Sequence, residues 1–273
     1  MKKSSRLFED KVVLVTGSSQ GIGKATALAF AQQGAQIVLN GRDPDRLSQA
    51  VSDLESTGIK VIGIQADLTQ QADAARLLRD TIKAFGKLDI LINNAGISMR
   101  GNFADLAPKV YQTIFDTNIL GVANLTIPAM PYIRETKGSI VFISSLAGIR
   151  GLPGLSAYCA SKMALRAMAE SIRIEEAGSG IHIGLVQVGY TEIEFKKTTV
   201  AANGELQVIK DRSGFRAATK ESVAKAILKN VRRRRFITTL TPIGKLNAFL
   251  QAIAPGLVER ILISQSKKIA ARS

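Results

Sequence analysis

Between Lys11 and Val188, short β-branched apolar runs alternate with segments of helical apolar spacing. This alternation is the strongest constraint on what the chain can fold into. Lys11–Val15 (KVVLV), Gln36–Leu39, Lys60–Gln65, Leu88–Ile92, Ile140–Ile143 and Ile181–Val188 read as strands. Their near-continuous apolar character is that of strands buried on both faces. Helices are predicted over 44–57, 70–85, 107–133 and 157–176, with a further one between Gly23 and Gly34. Asp43 suits an N-cap and Pro44 the first helical position, while Gly58 and Gly86 close the helices that precede them.

Strands and helices in this rhythm make a parallel sheet covered on both faces, and right-handed crossovers make it doubly wound. The fold class expected is α/β: a Rossmann-type doubly wound parallel sheet with helices on both faces and a C-terminal helical extension. In such a sheet ligands bind at the carboxyl ends of the strands. We divide the chain into one domain over residues 1–240, with a substrate lid at about 190–218, and a basic amphipathic helical extension over 241–273.

The formal charge of +15 raises the question of a nucleic-acid partner. Residues 210–273 hold 15 Lys/Arg against 3 Asp/Glu, a net +12, so the excess belongs to the C-terminal quarter and not to the body. Arg232–Arg235 has no aromatic interleaving, and no specific nucleic acid is expected as a partner. The lone cysteine, Cys159, excludes an intramolecular disulfide and points to a reducing compartment. MKKSSRLFEDK lacks the apolar run of a signal peptide, and no stretch reaches the roughly 18 uninterrupted apolar residues of a membrane span. The expected location is cytoplasmic, with a peripheral place at a membrane surface as a second expectation. His182, the only histidine, lies in an apolar strand and has no second histidine or cysteine for a metal, so it reads as structural.

After the first strand comes Thr16-Gly17-Ser18-Ser19-Gln20-Gly21-Ile22-Gly23, followed by a helix. A dinucleotide needs this arrangement: a tight turn, close approach of backbone to pyrophosphate, and free N–H groups at a helix N-terminus. Gly17, Ser19, Gln20, Gly21, Ile22 and Gly23 are the expected phosphate-facing residues. The second strand runs into Asn40-Gly41-Arg42, with no carboxylate before Arg42. An NAD binder usually places an acid there, whereas a guanidinium suits a 2′-phosphate. NADP(H) is therefore expected over NAD(H), and Asp43 is assigned to helix capping.

Tyr158 and Lys162 are four residues apart and share one helix face. An ammonium beside a phenol favours the phenolate and shifts it toward a working pH for proton transfer. Ser145 ends a strand at the binding edge of the sheet, where its hydroxyl can hydrogen-bond a carbonyl. Tyrosine and lysine meet at this spacing by chance in many helices, so the pair alone assigns nothing.

The joint pattern assigns more. TGSSQGIG, NNAG at 93–96, a strand-end serine and YCASK, in that order on an alternating chain, resemble the short-chain dehydrogenase/reductase family over roughly residues 8–195. By that resemblance Ser145 is the catalytic serine, Tyr158 the proton donor, and Lys162 the residue that holds the nicotinamide ribose and lowers the tyrosine pKa. Asn118 matches the asparagine of a water-linked proton relay. The resemblance further implies that Asn94, Ala95 and Gly96 lie against the adenosine ribose and that Asp67 and Leu68 contact adenine. The activity implied is interconversion of a small-molecule carbonyl and its alcohol by an NADP(H)-dependent enzyme, on a hydrophobic or lipid-like substrate. An NAD-dependent enzyme of the same fold and a non-catalytic dinucleotide-binding protein are the alternatives. One departure stands out. Val188-Gly189-Tyr190-Thr191-Glu192-Ile193 puts Val where the family has Pro, and Ile193 where it has the carboxamide-binding Thr. Gly189 is expected to contribute backbone groups, and Thr191 to replace that Thr only if the loop shifts.

Downstream, a helix is predicted over 219–231, a short strand at Phe236–Leu240 and a helix opening at Thr241-Pro242. The tetramer-building seventh strand at which many relatives end is not evident. Leu246, Leu250, Ile253, Leu257 and Ile261 form one apolar stripe broken at Pro255-Gly256. Two readings of residues 242–273 stay open: packing on protein, or lying on an anionic membrane with basic flanks. An assembly of two or four copies is expected.

Overall fold

A computed structural model describes residues 6–56, 58–192, 198–209 and 217–270, with side chains to 264. Seven parallel strands form the central sheet, in the order β3-β2-β1-β4-β5-β6-β9. They are β1 (Val12–Val15), β2 (Gln36–Gly41), β3 (Val61–Gln65), β4 (Ile90–Asn93), β5 (Ser139–Ser145), β6 (His182–Val188) and β9 (Ile237–Thr239). The order reverses direction between β1 and β4, which opens a crevice at their carboxyl ends. β1, β4 and β6 are buried along their whole length, whereas β3, at the edge, alternates buried and accessible residues.

The two faces carry separate cores. On one, α1 (Gly21–Ala31), α2 (Pro44–Glu55) and α7 (Lys220–Arg233) cover Val13, Val15, Ile37, Leu39 and Val141. On the other, α3 (Gln71–Phe85), α5 (Gly121–Glu135) and α6 (Ser156–Glu175) cover Leu14, Val38, Leu91, Ile140 and Phe142. Asp43 caps α2 by accepting from the Arg46 N–H at 3.0 Å, with Pro44 in the first turn. Gly86 ends α3 in the left-handed conformation.

Three features depart from the sequence expectation. The predicted helix over 107–133 is two helices, α4 (Pro108–Phe115) and α5, joined by a π-helical turn at Asp116–Leu120. Apolar periodicity runs through such a turn and does not reveal it. The lid region contains an antiparallel hairpin, β7 (Thr198–Val200) with β8 (Leu206–Val208), where no strands were expected. β7 is anchored to the body, because Val200 N donates to Ser98 O at 2.9 Å and Arg100 N donates to Val200 O at 2.8 Å. The short strand β9 also joins the main sheet as its seventh strand, beside β6. His182 explains why β9 is held: its ring nitrogens meet Ser139 Oγ at 3.2 Å and the Arg235 carbonyl at 2.9 Å.

Beyond β9 lie α8 (Pro242–Ile253) and α9 (Pro255–Ala270). Among the described residues no single helix is long and apolar enough to cross a membrane; α8 and α9 pass only as a pair bent by 120°.

Candidate active site

The carboxyl ends of β1, β2, β4, β5 and β6 open on one cleft of about 430 Å³. It is lined by Gly17, Ser19, Gln20, Gly21, Ile22 and Gly23 from the loop after β1, and by Arg42, Asp67 and Leu68. Asn94, Ala95, Gly96, Ser145, Tyr158, Lys162 and Gly189 complete the set. These residues, spread from 17 to 189 in the chain, thus meet in one cleft. Asn118 is the exception, being buried behind the cleft wall.

The glycine loop is shaped by close contacts. A side chain at Gly23 would stand 2.4 Å from the Gly17 carbonyl oxygen and 2.6 Å from Asn94 Nδ2, so only hydrogen fits where α1 meets the turn. Gln20, the N-cap of α1, makes no side-chain cap. The first-turn N–H groups of α1 therefore have no capping side chain, and a helix N-terminus of this kind favours an anion. Arg42 and Arg46 line the same end. Arg42 Nη1 is 3.8 Å from Asp67 Oδ2, a long and exposed pairing. Arg46 pairs with Asp43 at 3.2 Å and donates to Gln20 Oε1 at 3.3 Å. Asp43 is thus taken up by capping and pairing, as the sequence reading assigned it.

Several residues that build this floor were missed from sequence. Thr16 Oγ1 accepts from the N–H groups of Asn94 at 3.0 Å and Ala95 at 2.9 Å, locking β1 to β4. Asn94 Nδ2 returns hydrogen bonds to the carbonyls of Thr16 and Gly17, each 2.9 Å. Asn40 spans the loop ends, donating to the Ile64 and Ala66 carbonyls while its Oδ1 accepts from Gly17 N. Thr16 and Asn40 both stand at strand ends facing the crevice, and that position was the available signal. Arg46 carried one too, three residues beyond the cap.

At the reactive end, Ser145 closes β5 and Tyr158 rises from the first turn of α6. Both residues line the cleft. The Ser145 oxygen also accepts from Ala147 N at 3.2 Å, which fixes its rotamer. Burial pushes the Tyr158 phenol up, and the neighbouring Ser145 hydroxyl opposes it. Lys162 is buried, donates to the Ile143 carbonyl at 3.0 Å, and is pushed down to about 8 by burial. Its Nζ lies 5.7 Å from the Tyr158 ring centre. Desolvation is the largest cause of both shifts. Asn118 Oδ1 accepts from Ile97 N at 2.8 Å, and its Nδ2 donates to the Ile97 carbonyl and to Ser161 Oγ, both at 3.0 Å. Val188 and Thr191 reach the cleft, and Ile193 lies outside the described residues.

The family model for short chain dehydrogenases matches residues 11–204, a stretch that contains the glycine loop, the NNAG segment and the Ser145–Tyr158–Lys162 group. The chain is a short-chain dehydrogenase/reductase. As a member it is an oxidoreductase of a family that uses NAD(P) and acts on small molecules. It is 33% identical over 272 residues to dehydrogenase/reductase SDR family member 7B of Danio rerio, covering 96% of this chain and 87% of that protein. It is 36% identical over 259 residues to 11-beta-hydroxysteroid dehydrogenase 1A of Arabidopsis thaliana, covering 91% and 73%. Among solved structures, a short-chain dehydrogenase/reductase of Burkholderia phymatum in complex with NAD shares the fold. Its TM-score is 0.79 at 24% identity, over 92% of this chain and 95% of that one.

Proposed function

We propose that this short-chain dehydrogenase/reductase interconverts a hydrophobic carbonyl compound and its alcohol with NADP(H), using Tyr158 as general acid and base. The observation that carries the reading is the convergence of Ser145, Tyr158 and Lys162 in one cleft that also holds the glycine loop. When bound, the dinucleotide supplies or accepts the hydride; the residues of the chain do the rest.

The uncapped start of α1 and the Gly17–Gly23 turn fit a pyrophosphate, and Arg42 with Arg46 fits the additional phosphate of NADP. A carbonyl oxygen placed between the two hydroxyls accepts from both. Ser145 orients and polarises it, and Tyr158 delivers the proton as the oxygen gains charge. A phenol held up by burial is a ready donor in the reductive direction. Lys162, fixed by the Ile143 carbonyl beneath the ring, sets its ammonium where it stabilises the phenolate left behind. Tyr158 packs in an apolar cluster with Ile97, Met99 and Leu155, which suits a hydrophobic substrate body. The relative named as a hydroxysteroid dehydrogenase supports the same substrate class.

The test is a fluorescence titration of the purified protein with NADPH and with NADH, followed by turnover on a panel of hydrophobic ketones and aldehydes. Tighter NADPH binding and turnover lost in Tyr158→Phe support the reading. Equal turnover in that variant, or tighter NADH binding, defeats the mechanism or the cofactor assignment respectively.

A further inference from the structure

The helices that follow β9 leave an apolar face uncovered. On α8, Ile243, Leu246, Phe249 and Ile253 recur at helical spacing, and Ile243 is 80% exposed. Leu257 and Ile261 extend the exposed apolar surface onto α9. The opposite side of α8 is docked: Gly244 is buried, and a Cβ there would come 2.8 Å from Leu146, the residue after Ser145. Val258 does the same for α9, being buried on the body side. The outward direction of both helices is therefore fixed by packing.

Beside α8 lies a second cavity of about 450 Å³, bounded by α7, β9 and α8. Lys229, Arg235 and Lys245 line it, together with Ser222 and Thr238. None of these three cations has a carboxylate partner among the described residues. Lys245 belongs to both features, since it lines the cavity and borders the apolar face. Like charges brought around a concavity cost free energy unless an anion sits there.

We infer that α8 and α9 seat the protein on an anionic bilayer, with the apolar face entering the acyl boundary and the Lys229–Arg235–Lys245 cavity receiving a phospholipid phosphate headgroup. Charge decides between a bilayer and a second copy as the cover. Lys229, Arg235 and Lys245 lie beside this face, so apposing two copies sets like charges together, whereas an anionic surface complements them. The 120° bend and the length of each helix keep the pair in the interface instead of across the bilayer. Because this inference concerns binding, it stands or falls independently of turnover and of the cofactor.

The experiment is co-sedimentation of the full-length protein with phosphatidylcholine vesicles, with and without phosphatidylserine. Wild type is expected in the pellet with phosphatidylserine vesicles at low salt and largely in the supernatant with phosphatidylcholine alone. Ile243→Ser/Phe249→Ser changes exposed residues and leaves the fold intact by circular dichroism. It should weaken partitioning by about tenfold or more, given what burying each side chain is worth. Lys229→Gln/Lys245→Gln should weaken binding to phosphatidylserine vesicles by roughly tenfold or more, at about one factor of five per lysine, with no change on phosphatidylcholine. Arg79→Gln/Lys83→Gln, which removes the same charge from α3, should behave as wild type. Wild type left in the supernatant with phosphatidylserine overturns the inference, as does equal weakening by the α3 pair. So does light scattering showing that Ile243→Ser/Phe249→Ser converts a dimer to a monomer, because a second copy then covers the face.

Discussion

Lys162 Nζ lies 5.7 Å from the centre of the Tyr158 ring and gives its hydrogen bond to the Ile143 carbonyl, not to the phenol. The two groups are perturbed in opposite directions by one cause. Burial disfavours the charged form of each, raising the acid and lowering the base. A neutral phenol beside a readily deprotonated amine is the resting condition that the following expectations probe.

Removing the phenolic hydroxyl with Tyr158→Phe should lower kcat for carbonyl reduction by about 100-fold or more, the usual worth of a positioned general acid. Dinucleotide affinity, read by fluorescence titration, should change little. A parallel loss of affinity would mean that the ring holds the cofactor and does not move the proton.

The pH profile should carry the mark of the raised phenol. Reduction needs the protonated form, so kcat/KM stays high toward alkaline pH and falls only above the ordinary tyrosine range. Oxidation of the alcohol should rise over the same interval. Ser145→Ala removes a neighbouring hydroxyl that lowers this phenol, so the alkaline limb should move further up. An unmoved limb would assign the titration to another group.

Lys162 should cost stability at neutral pH. Its folded value of about 8 lies below the unfolded 10.5, so between them the unfolded chain binds the extra proton. The penalty is complete below about 8 and fades as pH rises to 10.5, a span worth on the order of 3 kcal/mol. Urea unfolding of wild type and Lys162→Met should therefore differ most at pH 7 and converge at alkaline pH. A difference independent of pH would show that only the Ile143 hydrogen bond matters.

His182 gives the opposite end of the profile. Burial lowers its pKa, so as pH falls below the unfolded value of 6.5 the unfolded chain takes up a proton that the folded chain refuses. Stability is lost across that window until the folded value is reached. His182→Gln should flatten this part of the curve relative to wild type in denaturant titrations from pH 7 to 5. The released strand should be β9, since His182 holds the Arg235 carbonyl just before it.

Arg42→Ala should weaken NADPH binding by roughly tenfold while leaving NADH nearly unchanged, since the role proposed for the guanidinium is toward the additional phosphate alone. Isothermal titration with both dinucleotides checks it, and equal losses would reassign Arg42 to a shared part of the cofactor.

The strands of the body were legible because inner strands buried on both faces leave near-continuous apolar runs between glycine-punctuated helices. Tyr158 and Lys162 were legible as a pair only through the loop at Gly17–Gly23 and the segment at Asn93–Gly96. What escaped had no periodic signature. The hairpin anchored by Val200 is three residues a side, and β9 belongs to the sheet through a histidine 55 positions earlier in the chain. The sign of the Tyr158 shift escaped for another reason, since spacing reports which groups meet and says nothing of how much water surrounds them.

The π-helical turn at Asp116–Leu120 carries the chain from α4 directly into α5. A wider turn takes more residues per revolution, so the four-residue ladder Val110, Ile114, Asn118, Val122 stays on one line where an α-helix would let it drift. Val110 and Ile114 serve the lid-side cluster and Val122 the sheet, with Asn118 between them reaching Ile97 and Ser161. Deleting one residue there would restore regular winding and turn Asn118 away by about a quarter of a revolution. The count of residues in this helix, more than their chemistry, thus keeps Asn118 on the Ser161 hydroxyl, which in turn bonds the Tyr158 carbonyl.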